Sequence, residues 1–320
     1  MPSNQHYVPR FLLKHFCSDD SERLWAYDKS TGKTFQTNVK NVASERDFYE
    51  GTIEGRVLSL EDGLSQLEGD TAVIIDRIVS RESIGDLSER ERVQIAVFVS
   101  IQLQRGPNLR QQLLAMNTAM KQALRDRDVD ASDVEGWLDM TEEDAKAMSL
   151  AMLTQPNEFP LHILNKTWLL FETSAEMPFY ISDNPVAMQN LAEPKGPLRG
   201  NLGLAVPGIE VYLPISSTLA MGFFCRTYET AFREGIDRMR RSIAIDPSFP
   251  MDFGPLLHWK RAIRKGNAMS SAPENVLNHN SLQVQQAERF VFCRTPDFTL
   301  VEEMIADEPR FRVGPRLTIT

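Results

Sequence analysis

The spacing of apolar residues changes near residue 165, and this change constrains the fold more than any other feature of the chain. Before it, apolar residues recur at helical spacing, as in Leu60, Leu64 and Leu67. After it, the chain is divided into short runs rich in aromatic and β-branched residues, which favour strands. We therefore predict an α+β fold, in which a helical middle region packs on a mostly antiparallel sheet formed largely by the C-terminal half.

Local patterns predict the individual elements. Ser88 and Glu91 have the spacing of a capping box just before an apolar run, which predicts the start of a central helix. The turn Lys29-Ser30-Thr31-Gly32 predicts a hairpin of residues 24–28 and 33–38. The other predicted helices cover residues 9–16, 56–80, 109–124, 141–153, 230–265 and 273–288, and the other predicted strands cover 168–173, 179–182, 209–214, 219–225 and 289–293.

The N-terminal segment is apolar and aromatic from Tyr7 to Phe16, whereas most chain termini are polar and frayed. We expect it to dock between the helical region and the sheet and to bring His6 with it. The chain is expected to form a single compact unit with two lobes, residues 1–165 and 166–320. The long segment 193–208, rich in proline and glycine, is expected to be a functional loop.

The charge of the chain argues against one class of function. The formal net charge is −9, whereas a protein that binds nucleic acid over an extended surface is normally basic. A local basic strip remains, in which Lys260, Arg261, Arg264 and Lys265 have i, i+4 spacing along one side of a predicted helix. This strip is either a solvated helix face or a local site for a polyanion.

The three cysteines, Cys17, Cys225 and Cys293, are widely spaced and show no metal-site pattern. Their number does not suit a disulfide framework, which favours a reducing compartment. The sequence contains no signal-like segment and no apolar run as long as a membrane span, so we expect a cytoplasmic protein without membrane contact. No cofactor is predicted, because the chain has no glycine-rich phosphate loop and no ligand motif for a divalent metal.

Several motifs, spread over nearly the whole chain, match a known family. They are His6-Tyr7-Val8-Pro9 with Phe11-Leu12 and Phe16, Trp25-Ala26-Tyr27-Asp28, Phe48-Tyr49, the helix end from Gln102 to Arg105, the segment from Phe179 to Val186, Leu213-Pro214-Ile215-Ser216, and Asn280 followed by Ala287-Glu288-Arg289-Phe290-Val291. In these residues the chain resembles the domain of unknown function 4238 proteins, which are found mainly in bacteria. The resemblance implies a shared fold and shared polar positions, and it implies no particular activity.

His6 and Asp183 are the candidate catalytic residues. His6 precedes a helix and is a general base, a charged ring that contacts an anion, or a group that caps or hydrogen-bonds the first helical turn. Asp183 follows a strand that we expect to be buried, in the sequence Asp183-Asn184-Pro185. It is either part of a turn or a carboxylate that could orient His6 or hold a metal.

Four polar residues are candidates for substrate binding: Gln102, Arg105, Asn184 and Asn280. Gln102 and Arg105 share one face at the end of an apolar helix, where Arg105 needs an anion. That anion is either a protein carboxylate, with Asp183 as one possibility, or a bound phosphate or carboxylate. Asn280, like Asn278, lies in a predicted helix and either binds a ligand, ties down the N-terminal segment or faces solvent.

Two functions are compatible with these residues. In the first, His6, Arg105, Asp183 and Asn280 converge in a cleft, and the protein is a hydrolase or transferase acting on a phosphate-containing substrate such as a nucleotide or an RNA phosphodiester. In the second, the protein binds a ligand or a partner without catalysis, as a component of a bacterial defence or toxin system, and the polar residues fix the fold. A pocket shared by the four side chains would favour the enzyme.

Overall fold

The structure, a computed structural model, describes residues 4–18, 21–53, 56–191, 202–245 and 254–316. Its helices are α1 (Arg10–Lys14), α2 (Glu61–Arg81), α3 (Glu89–Gln102), α4 (Pro107–Arg125), α5 (Glu142–Thr154), α6 (Phe159–Leu164), α7 (Arg226–Ile245), α8 (Gly254–Lys265), α9 (Pro273–Gln286) and α10 (Thr299–Asp307). The predicted loop 193–208 falls mostly outside these ranges, since residues 192–201 are not described.

The strands confirm the α+β prediction, because most of the strand pairs are antiparallel. They are β1 (Asn4–His6), β2 (Arg23–Asp28), β3 (Lys33–Asn38), β4 (Ser44–Arg46), β5 (Glu50–Ile53), β6 (Arg56–Ser59), β7 (Thr167–Glu172), β8 (Ile181–Ser182), β9 (Ala187–Asn190), β10 (Ile209–Pro214), β11 (Leu219–Phe224), β12 (Met269–Ser270) and β13 (Phe290–Cys293).

The central helix α3 forms where the capping box predicts it. The Ser88 hydroxyl accepts a hydrogen bond from the Glu91 amide, and the Glu91 carboxylate accepts one from the Ser88 amide. Ile95, Phe98 and Val99 are fully buried on α3, which packs against α2 and α6. Burial on more than one face explains why the helix is apolar almost all round.

The start of α2 differs from the prediction. The helix begins at Glu61 and not near residue 56, because residues 56–59 form strand β6 and pair with β5. Leu58 is the register partner of Gly51 in this hairpin. The helical spacing of apolar residues in α2 therefore extends back into β6. Only the pairing with β5 shows that these earlier residues form a strand.

Two main sheets divide the strands. The five-stranded sheet has the order β12-β7-β11-β10-β9 and is antiparallel except for the β12–β7 pair. The four-stranded sheet has the order β3-β2-β13-β8, so the N-terminal hairpin pairs with a strand near the C-terminus. The C-terminal half therefore supplies all five strands of the first sheet, and both ends of the chain build the second.

The N-terminal segment docks as its apolar character indicates. Strand β1 pairs with β4, and Val8, Leu12 and Phe16 are fully buried in the main core. The helix within this segment covers five residues, shorter than the predicted 9–16. This packing places His6 at the end of β1, directly before the buried residues.

Two loops from the predicted lobes cross each other closely. The Ile84 amide donates to the Gly266 carbonyl at 2.7 Å, and a Cβ on Gly85 would lie 2.0 Å from the Lys265 carbonyl oxygen. Gly266 has a φ of +70°, in the left-handed region that favours glycine. The loop before α3 and the loop after α8 can approach this closely only because both positions lack a side chain.

No helix in the described part of the chain combines the length and apolarity needed to cross a membrane.

Candidate functional site

An open pocket of about 440 Å³ lies between the N-terminal segment and α2. We call it the N-terminal pocket, and it is lined by Asn4, His6, Arg10, Phe11, Tyr49, Glu61, Leu64, Ser65, Glu68, Gly69 and Ala72. Of the six site residues that the sequence suggested, His6 is the one that lines this pocket.

The His6 ring is half-buried, and Nε2 lies 3.3 Å from the Val39 carbonyl oxygen. Because a carbonyl can only accept a hydrogen bond, Nε2 carries the proton and Nδ1 of the neutral ring is the nitrogen that can take one up. Burial lowers the pKa of His6 below its ordinary value, against the opposing effect of backbone hydrogen bonds with Val39 and Lys40, and the positive charges of Arg10 and Arg105 lower it further. The ring is therefore neutral at neutral pH and suited to act as a base.

Two glutamates of α2 face the same pocket and were not predicted. Glu61 is the first residue of α2, and its pKa is raised above the ordinary value by burial and then by the negative charge of Glu68. Glu61, Ser65 and Glu68 have i, i+4, i+7 spacing, so they share one helix face. That polar stripe beside the leucines of α2 was the available sequence signal.

Arg105 is fully buried and pairs with Glu68, not with Asp183. Its Nη2 donates to Glu68 Oε1 at 2.6 Å and to the His6 carbonyl oxygen at 2.7 Å. The guanidinium carbon lies 5.5 Å from the centre of the Tyr49 ring. The expectation that this arginine needs an anion is therefore met within the protein, by a residue of α2.

The backbone around His6 is held by side chains from other elements. Gln102 Nε2 donates to the Tyr7 carbonyl at 2.8 Å, and the Tyr49 hydroxyl donates to the His6 carbonyl at 2.8 Å. With the contact from Arg105, the His6 carbonyl has two side-chain donors and the Tyr7 carbonyl has one. Gln102 and Arg105 are thus brought close to His6, where they bind the carbonyls of Tyr7 and His6 and do not line the pocket.

Asp183 lies elsewhere, with 1% of its surface exposed. Its oxygens accept hydrogen bonds from the backbone amides of Glu288, Arg289 and Phe290 at 2.7–2.8 Å. Burial raises its pKa to about 6, against the opposing effect of these amides and of Lys29. Within the described residues Asp183 makes no hydrogen bond to His6, so the expected orientation of His6 by this carboxylate is not observed.

Lys29, which sequence reasoning missed, is buried beside Asp183. Its Nζ donates to the carbonyls of Val284 and Ala287 at 2.8 and 2.7 Å, near the end of α9. Burial lowers its pKa to about 8, and the negative charge of Asp183 partly opposes this shift. A lysine in a predicted hairpin turn is normally exposed, so the sequence contained no signal for this role.

Asn184 and Asn280 belong to the surroundings of Asp183. Asn280 Oδ1 accepts from the Tyr180 amide at 2.7 Å, and its Nδ2 donates to the Pro178 carbonyl at 3.0 Å. Asn184 Nδ2 donates to the Gln286 carbonyl at 3.2 Å. The predicted residues therefore form two groups, one around the His6 backbone and one between β8 and α9, and do not share one pocket.

The remaining candidates are placed as follows. Lys260, Arg261, Arg264 and Lys265 are exposed on α8. Asn278 is exposed and donates to Gln189 Oε1 at 3.2 Å. Among the described residues, no three His, Cys, Asp or Glu side chains gather in a way that could hold a metal ion.

Comparison with known proteins identifies one family. A family model described as "Protein of unknown function (DUF4238)" matches residues 4–297. No curated protein and no solved structure matches the chain.

Proposed function

The chain belongs to the DUF4238 family of proteins of unknown function, and we propose that it is a hydrolase or transferase acting on a phosphodiester of a nucleotide or an RNA. The reaction takes place in the N-terminal pocket by general acid–base catalysis. One observation carries the proposal: His6 and Glu61 line the same pocket, and their surroundings shift their pKa values in opposite directions.

The two groups suit the two proton transfers of phosphodiester cleavage. Nδ1 of neutral His6 removes the proton from the attacking hydroxyl or water. Glu61 keeps its proton to a higher pH than an ordinary glutamate, so it can donate it to the leaving oxygen. Asp183 has no part in this scheme, because its oxygens accept hydrogen bonds from the first amide of β13 and from the two amides just before that strand.

The charge of the pocket favours a diester over a monoester. Arg10 is the cation that lines the pocket, where it lies 3.4 Å from Glu22, and of the two glutamates in the lining Glu68 is paired with Arg105. A phosphodiester carries one negative charge, which suits a pocket with one cationic side chain in its described lining. A phosphomonoester approaches two negative charges at neutral pH and would be repelled more strongly by the glutamates.

The experiment compares hydrolysis of bis(4-nitrophenyl) phosphate, a diester, with 4-nitrophenyl phosphate, a monoester. We expect turnover of the diester, and a loss of about 100-fold or more in kcat in His6→Gln and in Glu61→Gln. The matched controls are His15→Gln, whose ring binds Asp76, and Asp62→Asn, which is exposed beside Glu61. Both controls should retain full activity.

The pH profile of the wild-type protein adds an independent check. On the acidic side the rate should fall where His6 takes up a proton. Because the pKa of His6 is lowered, this fall should lie below pH 6.5, the ordinary pKa of histidine. On the basic side the rate should fall as Glu61 loses its proton, and this fall should disappear in Glu61→Gln. Absence of diester turnover in the wild type, or full activity in folded His6→Gln, would contradict the proposal.

A second candidate is a protein that binds a ligand or a partner without catalysis. The observation that favours it is that Gln102, Arg105, Asp183, Asn184 and Asn280 all bind groups of the protein itself. A buried polar network of this kind fixes a fold. Binding of a dinucleotide at the N-terminal pocket without any turnover would support this candidate against the enzyme.

A further inference from the structure

A second cavity, of about 520 Å³, lies where the five-stranded sheet meets α7, α8 and α9. We call it the aromatic pocket, because six aromatic rings line it: Phe171, Tyr212, Phe224, Tyr228, Phe232 and Trp259. Neighbouring rings pack at an angle, as in the 5.6 Å contact between the centres of Phe224 and Trp259 at 75°. Such rings offer both edges and faces to a ligand.

A carboxylate is buried among these rings. Glu210 is 6% exposed, and it pairs with no lysine or arginine in the part of the chain that the structure describes. Tyr212 and Gln189 donate to the same oxygen, Oε2, at 2.7 and 2.5 Å. The Tyr228 hydroxyl lies within hydrogen-bonding reach of the same carboxylate. Neutral donors alone therefore surround Glu210 in the described residues, and a buried negative charge without a cation beside it is energetically costly.

A buried imidazole with one unpartnered nitrogen lines the same pocket. His279 is 6% exposed, and its Nδ1 has no hydrogen-bond partner among the described residues. The ring lies against Tyr212, with centres 4.4 Å apart, and stacks on Phe179. Burial lowers the pKa of His279 to about 4, so the ring adds no positive charge to the pocket at neutral pH.

We propose that the aromatic pocket binds a small protonated amine, whose ammonium N–H donates to the Glu210 carboxylate while the aromatic faces surround its charge. Ring faces attract cations, and the carboxylate supplies the opposite charge. The described lining contains no lysine or arginine, so a phosphate or carboxylate ligand would find no cationic partner there. The proposal is independent of the acid–base chemistry assigned to the N-terminal pocket.

The test measures binding of three probes to the full chain at pH 7 by ligand-observed NMR titration. n-Butylammonium is expected to bind at least about tenfold more tightly than n-butanol, which has the same carbon skeleton without the charge. Tetramethylammonium, which has no N–H, should bind more weakly than n-butylammonium. Equal affinity for the amine and the alcohol, or no binding of the amine, would overturn the proposal.

Two variants locate the binding. Glu210→Gln keeps an oxygen for Tyr212 and Gln189 but removes the charge, and it should weaken n-butylammonium binding about tenfold or more. Glu61→Gln, in the N-terminal pocket, should leave it unchanged. Should Glu210→Gln fail to fold, Trp259→Leu on the half-buried wall of the pocket should still weaken the amine more than the alcohol. Unchanged amine affinity in a folded Glu210→Gln or Trp259→Leu protein would refute the site.

Discussion

At the residue scale, Asp183 illustrates how burial sets the work of a side chain. Its carboxylate is surrounded by three backbone amides and lies near the buried ammonium of Lys29. The amides and the ammonium favour the charged form, whereas burial favours the neutral form and dominates. Asp183 thereby joins the end of β8 to the start of β13, and its ionisation is coupled to folding.

This coupling predicts a pH dependence of stability. The folded-state pKa of Asp183, about 6, lies above its ordinary value of 3.8, so between pH 4 and 6 the folded protein holds this proton and the unfolded chain releases it. The free energy of unfolding contributed by Asp183 should therefore fall by about 3 kcal/mol as the pH rises through this window. Lys29, with a pKa of about 8, stays charged throughout.

Urea unfolding of the wild type and of Asp183→Asn at pH 4, 5 and 6 measures this contribution as the difference between the two slopes. The comparison is needed because His279, whose folded-state pKa of about 4 lies below its ordinary value of 6.5, contributes a slope of opposite sign in the same window. Asp28→Asn is the control, because the Arg289 and Ser30 hydrogen bonds hold the pKa of Asp28 far below its ordinary value, outside this window. The same slope in Asp183→Asn as in the wild type would contradict the raised pKa of Asp183.

At the element scale, strand β11 shows how one missing side chain shapes a pocket. Gly222 lies between Phe171 of β7 and Phe224 of β11, and a Cβ at this position would approach a ring carbon of each to 2.7 Å. Both rings line the aromatic pocket. The absence of a side chain at Gly222 therefore lets the two rings pack close to the sheet and helps to form the pocket.

Gly222→Ala should thus lower the free energy of unfolding by about 1–3 kcal/mol, because the added methyl group overpacks the site. It should also weaken n-butylammonium binding, since the rings must shift. Gly235→Ala on α7 is the matched control, with nothing within 4 Å of the added Cβ, and should stabilise the helix by about 0.5–1 kcal/mol. A Gly222→Ala protein as stable as wild type would contradict the close packing.

At the scale of the whole molecule, the chain ends and the two predicted lobes are interleaved. Strand β2 pairs with β13, and the loop at Ile84 binds the loop at Gly266. Neither half can be completed without the other, because each crossing joins backbone groups that would otherwise lose their partners. This arrangement supports the proposal of a single compact unit.

We accordingly predict one cooperative unfolding transition for the full chain. Far-UV circular dichroism follows the helices. Tryptophan fluorescence follows the four tryptophans of the chain, which include Trp25 in the four-stranded sheet and Trp168 in the five-stranded sheet. The two urea curves should coincide, as expected for two-state unfolding. Two separated transitions would indicate that the lobes unfold independently.

Features encoded over a few residues were predictable from the sequence. The capping box of Ser88 and Glu91 and the hairpin turn at residues 29–32 appear where expected, because their hydrogen bonds join residues close in the chain. The α+β class followed from the change in apolar spacing. The need of Arg105 for an anion followed from its position at the end of an apolar helix.

The identity of that anion did not follow, because Glu68 lies 37 positions away and meets Arg105 only when α2 packs against α3. Asp183 finds its amides more than 100 positions downstream, where the pairing of β8 with β13 brings them close. Glu61 joins His6 for the same reason. Contacts within a few residues depend on local geometry that the sequence encodes directly, whereas the partners of buried charges depend on which distant segments pack together.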